Sequence, residues 1–172
     1  DSIILNSNCP VSWEIASEYD IKIHEREEYI ASSECPITEY WRDAARCINT
    51  DTLLLAQVTS PFISLDTYKR CIETYKTGDY DSLMTVKKLN EYVWHNEKPL
   101  NYSWPDHPRS QDLQGNLFYL TFGVCIADKN KLITHGNLVG KKPHMYELDG
   151  IETVDIDTEF DFDLAQNIYK QS

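Results

Sequence analysis

The chain is short of positive charge. It has 16 lysines and arginines against 28 aspartates and glutamates, which gives a formal net charge of −12. Surfaces that bind nucleic acids or anionic membranes need basic patches, so this balance argues against both kinds of partner. An anionic small substrate remains compatible with the charge, but its site would need a local arginine, a lysine or a metal ion.

Paired cysteines and long apolar runs are also missing. The five cysteines are scattered without a CxxC pair, so we expect reduced, mostly buried thiols and neither a disulfide framework nor a zinc knuckle. Nothing approaches the roughly 18 apolar residues of a transmembrane span, and no signal peptide opens the sequence. These absences predict a cytoplasmic protein. At 172 residues, 41% of them hydrophobic, the chain fits one domain with a sizeable core.

The order of patterns alternates between strands and helices. The apolar run at 53–56 is too short for a helix and suits a central parallel strand. We predict further strands at 2–7 (buried), 21–23, 82–86, 117–126 and 144–148, and helices at 11–19, 38–48, 65–75 and 161–169. This alternation predicts an α/β fold in which helices flank a mostly parallel sheet.

Residues 89–113 depart from that alternation. They combine several aromatic residues, among them Trp94 and Trp104, with three prolines. This composition predicts a hairpin or arm that leaves the sheet. Grouped aromatics of this kind mark a subunit interface when they are exposed, or form a small separate core under a long loop. The sequence leaves both interpretations open.

An acidic run near the C-terminus, residues 154–161, is the strongest candidate for chemistry. Asp155 and Asp157 are separated by one apolar residue, and alternate residues of an extended segment share a face. Two carboxylates that close repel unless a cation or proton lies between them, and an oxygen-only pair suits Mg²⁺. The alternative is a helix N-terminus whose extra acids complement the dipole, with Thr158 or Asp157 as the cap.

Two other segments carry candidate binding residues. Gln57 follows the strand at 53–56, and the carboxyl ends of strands are where open α/β sheets bind ligands. The alternative is an ordinary turn in which Thr59 or Ser60 caps the next helix. Arg109 could clamp a carboxylate or phosphate, or could be a surface arginine paired with a neighbouring aspartate.

Taken together, three segments resemble the acylneuraminate cytidylyltransferase family, also called CMP-sialic acid synthetases. They are Leu55-Ala56-Gln57-Val58-Thr59-Ser60-Pro61, Pro108-Arg109-Ser110-Gln111-Asp112-Leu113 and Val154-Asp155-Ile156-Asp157-Thr158-Glu159-Phe160-Asp161. The resemblance runs from residue 2 to residue 170. It implies a Rossmann-like nucleotidyltransferase fold and the transfer of CMP from CTP to an acidic sugar, with release of pyrophosphate.

Roles for individual residues also follow from the resemblance. Asp155 and Asp157 would hold Mg²⁺ and carry the catalysis. The substrate-binding residues would be Gln57, Arg109, Gln111 and Thr38, with Arg109 taking the sugar carboxylate and Thr38 lying near the nucleotide. The family's homodimers imply that 89–113 is a dimerisation arm within a single domain that spans 1–172.

The sequence departs from the family at its beginning. The family opens with a strand and a glycine-rich loop that cradles the CTP phosphates, whereas this sequence begins where the second strand is expected. The resemblance therefore implies a gap or unpaired edges in the sheet. Two hypotheses remain: a truncated transferase, favoured because Gln57, Arg109 and the aspartate pair all persist, or an inactive homologue that binds a sugar, a nucleotide or a protein. A metal-dependent phosphatase is disfavoured, because Asn6-Ser7-Asn8 stands where its aspartate nucleophile is expected.

Overall fold

The structure is a computed structural model that describes residues 2–113 and 117–171. Its α-helices are α1 (Pro10–Ser17), α2 (Glu28–Ala31), α3 (Ile37–Arg46), α4 (Leu65–Thr77), α5 (Lys129–His135) and α6 (Glu159–Tyr169). Its strands are β1 (Ile4–Ser7), β2 (Lys22–Glu25), β3 (Thr52–Ala56), β4 (Ser82–Lys88), β5 (Trp94–His95), β6 (Lys98–Pro99), β7 (Phe118–Asp128) and β8 (Pro143–Glu147). Short 3₁₀ helices span Ser110–Asp112 and Gly150–Thr153. Over these residues, no helix combines the length and the apolar character that crossing a membrane requires.

The chain divides into two compact units. Unit 1 comprises residues 1–55, 75–83 and 125–144, and unit 2 comprises residues 56–74, 84–124 and 145–172. Unit 2 contains the carboxyl ends of β4 and β8, the loop after β3 and the beginning of β7. The grouping of all 172 residues into one domain stays a prediction.

The largest of the described sheets has four strands, in the order β3-β7-β4-β8. The backbone N–H of Lys129 donates to the carbonyl of Asp51, and that of Gln57 donates to the carbonyl of Gly123. As β3 ascends, β7 therefore descends, and it is the antiparallel strand of an otherwise parallel sheet. The predicted α/β fold with a mostly parallel sheet and flanking helices is confirmed. The central position expected for β3 is wrong, because β3 lies at the edge of the described sheet. An apolar run indicates that the faces of a strand are buried, but it does not indicate that the strand has a neighbour on each side.

Strands β1 and β2 form a separate parallel pair. Their register runs from Ile4 opposite Lys22 to Ser7 opposite Glu25. In the described part of the chain, the strands therefore form interrupted sheets, as the resemblance implies. The burial expected for β1 is wrong, because its residues are only half-buried. A sheet of two strands covers little of the surface of either strand.

The apolar core is built mainly on β4 and β7. The fully buried side chains of β4 include Leu83, Met84 and Val86, and β7 adds Val124. The burial of β4 is continuous from Ser82 to Val86, as expected where both faces of a strand are covered. The five cysteines are free thiols as predicted, but only Cys71 and Cys125 are buried, so the expectation of mostly buried cysteines is wrong.

Two helices were not predicted, and α5 is the informative one. The Asp128 side chain accepts a hydrogen bond from the Lys131 N–H at 2.8 Å and so caps the start of α5. The helix ends at Gly136, which has φ 64°. An aspartate cap and a left-handed glycine are ordinary helix boundaries, so the signal for α5 was present. Its few apolar residues gave no periodic pattern to accompany it.

Residues 89–113 contain the predicted hairpin, β5 and β6. Its two-residue turn places Asn96 at φ 47° and Glu97 at φ 63°, as right-handed strand twist requires. Tyr102 and Asn101 are buried, whereas Trp104 is 77% exposed. The segment thus combines a small local core with an exposed aromatic surface, and its role as a dimerisation arm stays a prediction.

Candidate functional site

Thr158 provides the cap of α6. Its hydroxyl accepts from the Asp161 N–H at 3.3 Å, and the Asp161 carboxylate accepts from the Thr158 N–H at 2.9 Å. Hydrogen bonding from the Thr158 side chain holds the pKa of Asp161 below its ordinary value. This reciprocal arrangement is a capping box. The side chains of Asp155 and Asp157 are therefore not needed to cap the helix.

Asp155 and Asp157 occupy an irregular extended segment before α6. Asp155 is half-buried, and Asp157 is exposed. One oxygen of Asp155 accepts from the Ser60 hydroxyl at 3.5 Å, the outer limit of a hydrogen bond, and from the Ile156 N–H at 3.2 Å. Over residues 2–113 and 117–171, neither aspartate enters a salt bridge. Carboxylate oxygens are the kind of ligand that Mg²⁺ prefers, so Asp155 and Asp157 are the residues here that could hold such an ion.

Glu152 lies two residues before the acidic run at 154–161, here called the acidic segment, and holds its start against α4. Its carboxylate accepts from the Ser64 N–H at 2.9 Å and from the Thr67 hydroxyl at 2.8 Å. Partial burial opposes ionisation of Glu152, but these hydrogen bonds outweigh it and hold its pKa below the ordinary value. Further along, the Ile156 N–H donates to the Thr59 carbonyl at 2.9 Å. The segment is thus tied at two points before it reaches Asp157.

Gln57 begins the loop that receives the acidic segment. Its backbone N–H donates to the Gly123 carbonyl of β7 at 3.1 Å, and its side chain is half-buried. Ser60, at the other end of this turn, is buried. A Cβ placed on Gly123 would lie 2.4 Å from Ile63 Cδ1 and 3.2 Å from Ser60 Oγ. The loop therefore packs against β7 at a distance that only glycine allows without displacing its neighbours.

A kink in β7 lies next to that close approach. Phe122 has φ 55°, a conformation that is rare for a bulky residue and marks local strain. Beside the kink, the Val124 N–H donates to the hydroxyl of Thr85 at 2.9 Å, and the Thr121 hydroxyl lies 2.9 Å from the same atom. The buried Thr85 side chain thus takes the place of a backbone partner. Phenylalanine gives no sequence signal for such a kink.

The other predicted substrate-binding residues are placed differently. Arg109 Nε lies 3.0 Å from Asp112 Oδ2 in an exposed pair, as the alternative interpretation of this arginine expected. Gln111 is exposed on the 3₁₀ helix Ser110–Asp112. Thr38 lies in α3, within unit 1, whereas Gln57 and the aspartates are in unit 2. The structure joins the Gln57 loop to the Asp155 segment, and the roles of all six residues stay predictions.

Sequence reasoning assigned no role to Lys87 and Lys88 at the end of β4, because they are out of register with a lysine that the resembling family often carries near the position of Trp94. Lys87 and Lys88 line a cavity of about 250 Å³ together with residues of the loop after β8, among them Asp149, Gly150 and Thr153. This loop leads directly into the acidic segment. The pair is a source of positive charge for an anionic ligand. Its signal was two basic residues at the carboxyl end of a predicted strand.

The known proteins that this chain resembles include cytidylyltransferases. N-acylneuraminate cytidylyltransferase A of Danio rerio is 26% identical over an alignment of 161 positions, which covers 88% of this chain. The resemblance to the cytidylyltransferases is confirmed. The chain spans about 37% of that protein's length. None of the protein-family models matches the sequence.

Solved cytidylyltransferase structures share the fold. A 4-diphosphocytidyl-2C-methyl-D-erythritol synthase from Anaerococcus prevotii has a TM-score of 0.71 at 14% identity, covering 100% of this chain and 79% of that one. CMP:2-keto-3-deoxy-manno-octonic acid synthetase in complex with CTP has a TM-score of 0.67 at 10% identity, covering 99% of this chain and 81% of that one. These cytidylyltransferase-like structures establish the architecture.

Proposed function

We propose that this chain carries a CTP-dependent nucleotidyltransferase site that transfers CMP to an acidic sugar of the nonulosonic type. The observation that carries the proposal is the contact between two predicted motifs, the Gln57 loop and the acidic run at 154–161. Ser60 and Thr59 of the Gln57 loop bond to Asp155 and Ile156 of the acidic segment. This contact lies where β3 ends, and the carboxyl edge of an α/β sheet is the usual ligand site.

The proposed chemistry is a substitution at phosphorus. The anomeric hydroxyl of the sugar attacks the α-phosphorus of CTP and loses its proton to solvent, a P–O bond to the sugar forms, and the P–O bond to pyrophosphate breaks. Asp155 and Asp157 would hold Mg²⁺, which when bound neutralises charge on the phosphates. Ser60 and the Ile156 N–H fix one oxygen of Asp155. The remaining carboxylate oxygens are then available as ligands.

Binding of the sugar acid is assigned to Gln57 and Arg109. The exposed pair of Arg109 with Asp112 is worth only about 0–1 kcal/mol, so a substrate carboxylate can displace Asp112 and gain a bidentate contact. Lys87 and Lys88 supply charge for the phosphates from the neighbouring cavity. Thr38 and Gln111 are kept as further contacts because of the resemblance alone.

A second copy of the chain is the proposed occupant of the aromatic surface on residues 89–113. Trp94, Pro99, Tyr102 and Trp104 line a cavity of about 700 Å³. Trp94 is 51% exposed and Trp104 is 77% exposed. Burial of such large aromatic side chains stabilises interfaces strongly. Light scattering on the purified chain tests the homodimer directly.

The decisive experiment is calorimetric titration of the chain with CTP in the presence of Mg²⁺. We expect binding that requires Mg²⁺ and that weakens at least tenfold, about 1.4 kcal/mol, in Asp155→Asn and Asp157→Asn. Asp163→Asn is the matched control, since it removes the same charge from the exposed surface of α6. It should bind CTP like the unaltered chain.

Pyrophosphate release then tests the transfer itself. The chain is incubated with CTP, Mg²⁺ and either a nine-carbon or an eight-carbon ulosonic acid, and release with one of them supports the proposal. Equal CTP binding by the unaltered chain and Asp157→Asn would make the metal role of that residue wrong. Absence of CTP binding would contradict the transferase proposal and leave a sugar-binding or protein-binding homologue.

A further inference from the structure

We propose that His24, Asp43 and Cys47 form a binding site for one zinc ion in unit 1. The three side chains offer an imidazole nitrogen, a carboxylate oxygen and a sulfur, and these donor atoms lie within 4.8 Å of one another. Among the described residues, no other group of three histidine, cysteine, aspartate or glutamate side chains brings its donor atoms this close together. It is separate from Gln57, Asp155 and Asp157, which belong to unit 2.

Two elements bring the ligands together. His24 lies on β2, directly opposite Asn6 in the register of the parallel pair. Asp43 and Cys47 are four residues apart, at the end of α3, and so project from the same side of the helix. The Nε2 atom of His24 is 3.7 Å from Oδ2 of Asp43. The site thus spans the space between a strand and a helix.

The spacing fits a tetrahedral ion after small side-chain movements. Zinc bonds of about 2.0–2.3 Å to nitrogen, oxygen and sulfur place neighbouring ligand atoms roughly 3.3–3.8 Å apart. The His24–Asp43 distance already lies in that range, and the 4.8 Å limit for the group leaves about 1 Å to close. All three residues are only half-buried, so their side chains have room to rotate. Solvent access also allows water to be the fourth ligand.

The donor set selects the kind of metal. Mg²⁺ and Ca²⁺ prefer oxygen ligands, whereas thiolate and imidazole favour zinc among the abundant divalent ions. With a thiolate, a carboxylate and a neutral imidazole, the protein supplies two negative charges to a doubly charged ion. The bound cluster is therefore close to neutral, which limits the cost of its partial burial.

Asn6 and Arg26 border the site. The Asn6 amide nitrogen lies 3.4 Å from Asp43 Oδ2 and 3.7 Å from the Cys47 sulfur. Its amide oxygen accepts from Arg26 Nε at 2.9 Å. The Arg26 guanidinium also donates to the Asn6 carbonyl and stacks over the Tyr40 ring, 4.7 Å from its centroid. Arg26 is thus held by Asn6 and Tyr40, and its positive charge lies near enough to favour the thiolate form of Cys47.

Metal binding has to displace a proton from Cys47. Burial, together with the nearby Asp43 carboxylate, raises the pKa of the Cys47 thiol to about 11. The thiol is therefore protonated at neutral pH in the absence of metal. A coordinating thiol is deprotonated by the ion, and the S–H proton passes to solvent as the metal–sulfur bond forms.

The test is zinc and cobalt titration of the tag-free 172-residue chain. A chromophoric chelator competes for Zn²⁺, and Co²⁺ is followed by its tetrahedral d–d absorption and its thiolate charge-transfer band. We expect one high-affinity equivalent, and a loss of affinity of at least tenfold in Cys47→Ser, His24→Gln and Asp43→Asn. Cys35→Ser and His95→Gln, which alter a thiol and an imidazole outside the cluster, should bind like the unaltered chain.

Several results would overturn the proposal. Cobalt bound by the unaltered chain without a charge-transfer band would exclude the thiolate, whatever the variants do. Zinc affinity unchanged in Cys47→Ser, or lost in Cys35→Ser instead, would identify adventitious binding at another thiol. Circular dichroism in metal-free buffer checks folding, and the nearly isosteric Asp43→Asn keeps a ligand test available if Cys47→Ser unfolds. Failure here leaves the CTP titration unaffected, because the residues differ.

Discussion

Substitution of Gly123 tests the packing on which the candidate site depends. A Cβ at this position would lie 2.4 Å from Ile63 Cδ1, whereas carbon atoms make favourable contacts at about 3.5–4.0 Å. Ile63 is buried, so its Cδ1 methyl group has little free space into which it could move away from the new Cβ. Overpacking of this kind costs about 1–3 kcal/mol. The lower chain entropy of unfolded alanine offsets about 0.4–1 kcal/mol, so the net loss for Gly123→Ala lies between about 0 and 2.6 kcal/mol, and we expect about 1.3 kcal/mol, the difference of the midpoints.

A double-mutant cycle isolates the clash. Ile63→Val removes the Cδ1 atom and by itself costs about 0.5–1.5 kcal/mol. Combined with Gly123→Ala, it should recover about 1 kcal/mol relative to the sum of the single changes. Recovery stays incomplete, because Ser60 Oγ remains 3.2 Å from the new atom. The free energies of unfolding come from urea titrations followed by circular dichroism and fluorescence.

Gly150→Ala provides the control. Gly150 has φ 55°, and nothing lies within 4 Å of a Cβ built there. Alanine at this position loses about 1–2 kcal/mol through backbone strain alone, and Ile63→Val should not rescue it. If Gly123→Ala and Ile63→Val add to within about 0.3–0.5 kcal/mol, the two groups do not collide and the packing argument is wrong.

Two further predictions concern the acidic segment. Thr158→Ala should destabilise the protein by about 1 kcal/mol in urea titrations because the cap of α6 is lost, whereas Thr158→Ser keeps the hydroxyl and should be nearly neutral; equal losses would argue against the cap. Glu152→Gln should be less stable than the unaltered chain near pH 7. Because the folded pKa of Glu152 is lowered from 4.5, its contribution is present above that value and lost as the pH falls through the lower folded pKa. The stability difference should therefore shrink on acidification, and a difference independent of pH would contradict the assignment.

The sequence predicted most elements whose patterns are long or strongly apolar. The helix expected at 65–75 is α4, and the strand expected at 82–86 is β4. Each has either helical periodicity over three turns or a continuous apolar run, and such signals are local. The acidic run and Gln57 were also found, because their residue types and spacing are visible without the fold.

The contacts that assemble the site could not be predicted in the same way. Ser60 and Asp155 are 95 residues apart, and Glu152 bonds to Ser64 across 88 residues. No local pattern encodes such pairs. The kink at Phe122 contradicts the preference of a bulky residue for negative φ, so only tertiary packing accounts for it. The ion pair of Arg109 with Asp112 was predicted only as one of two alternatives.

The separate β1–β2 pair has a consequence for cooperativity. An isolated two-stranded ribbon is marginal in water, so the pair depends on α1, α3 and the hydrogen bonds of Asn6 for its persistence. Its amides should exchange with solvent deuterium through local opening, well before those of Met84 and Val86 in the buried strand β4. Exchange at β1 and β2 then reports this local opening, whereas exchange at Met84 and Val86 reports the cooperative unfolding that the urea titrations measure.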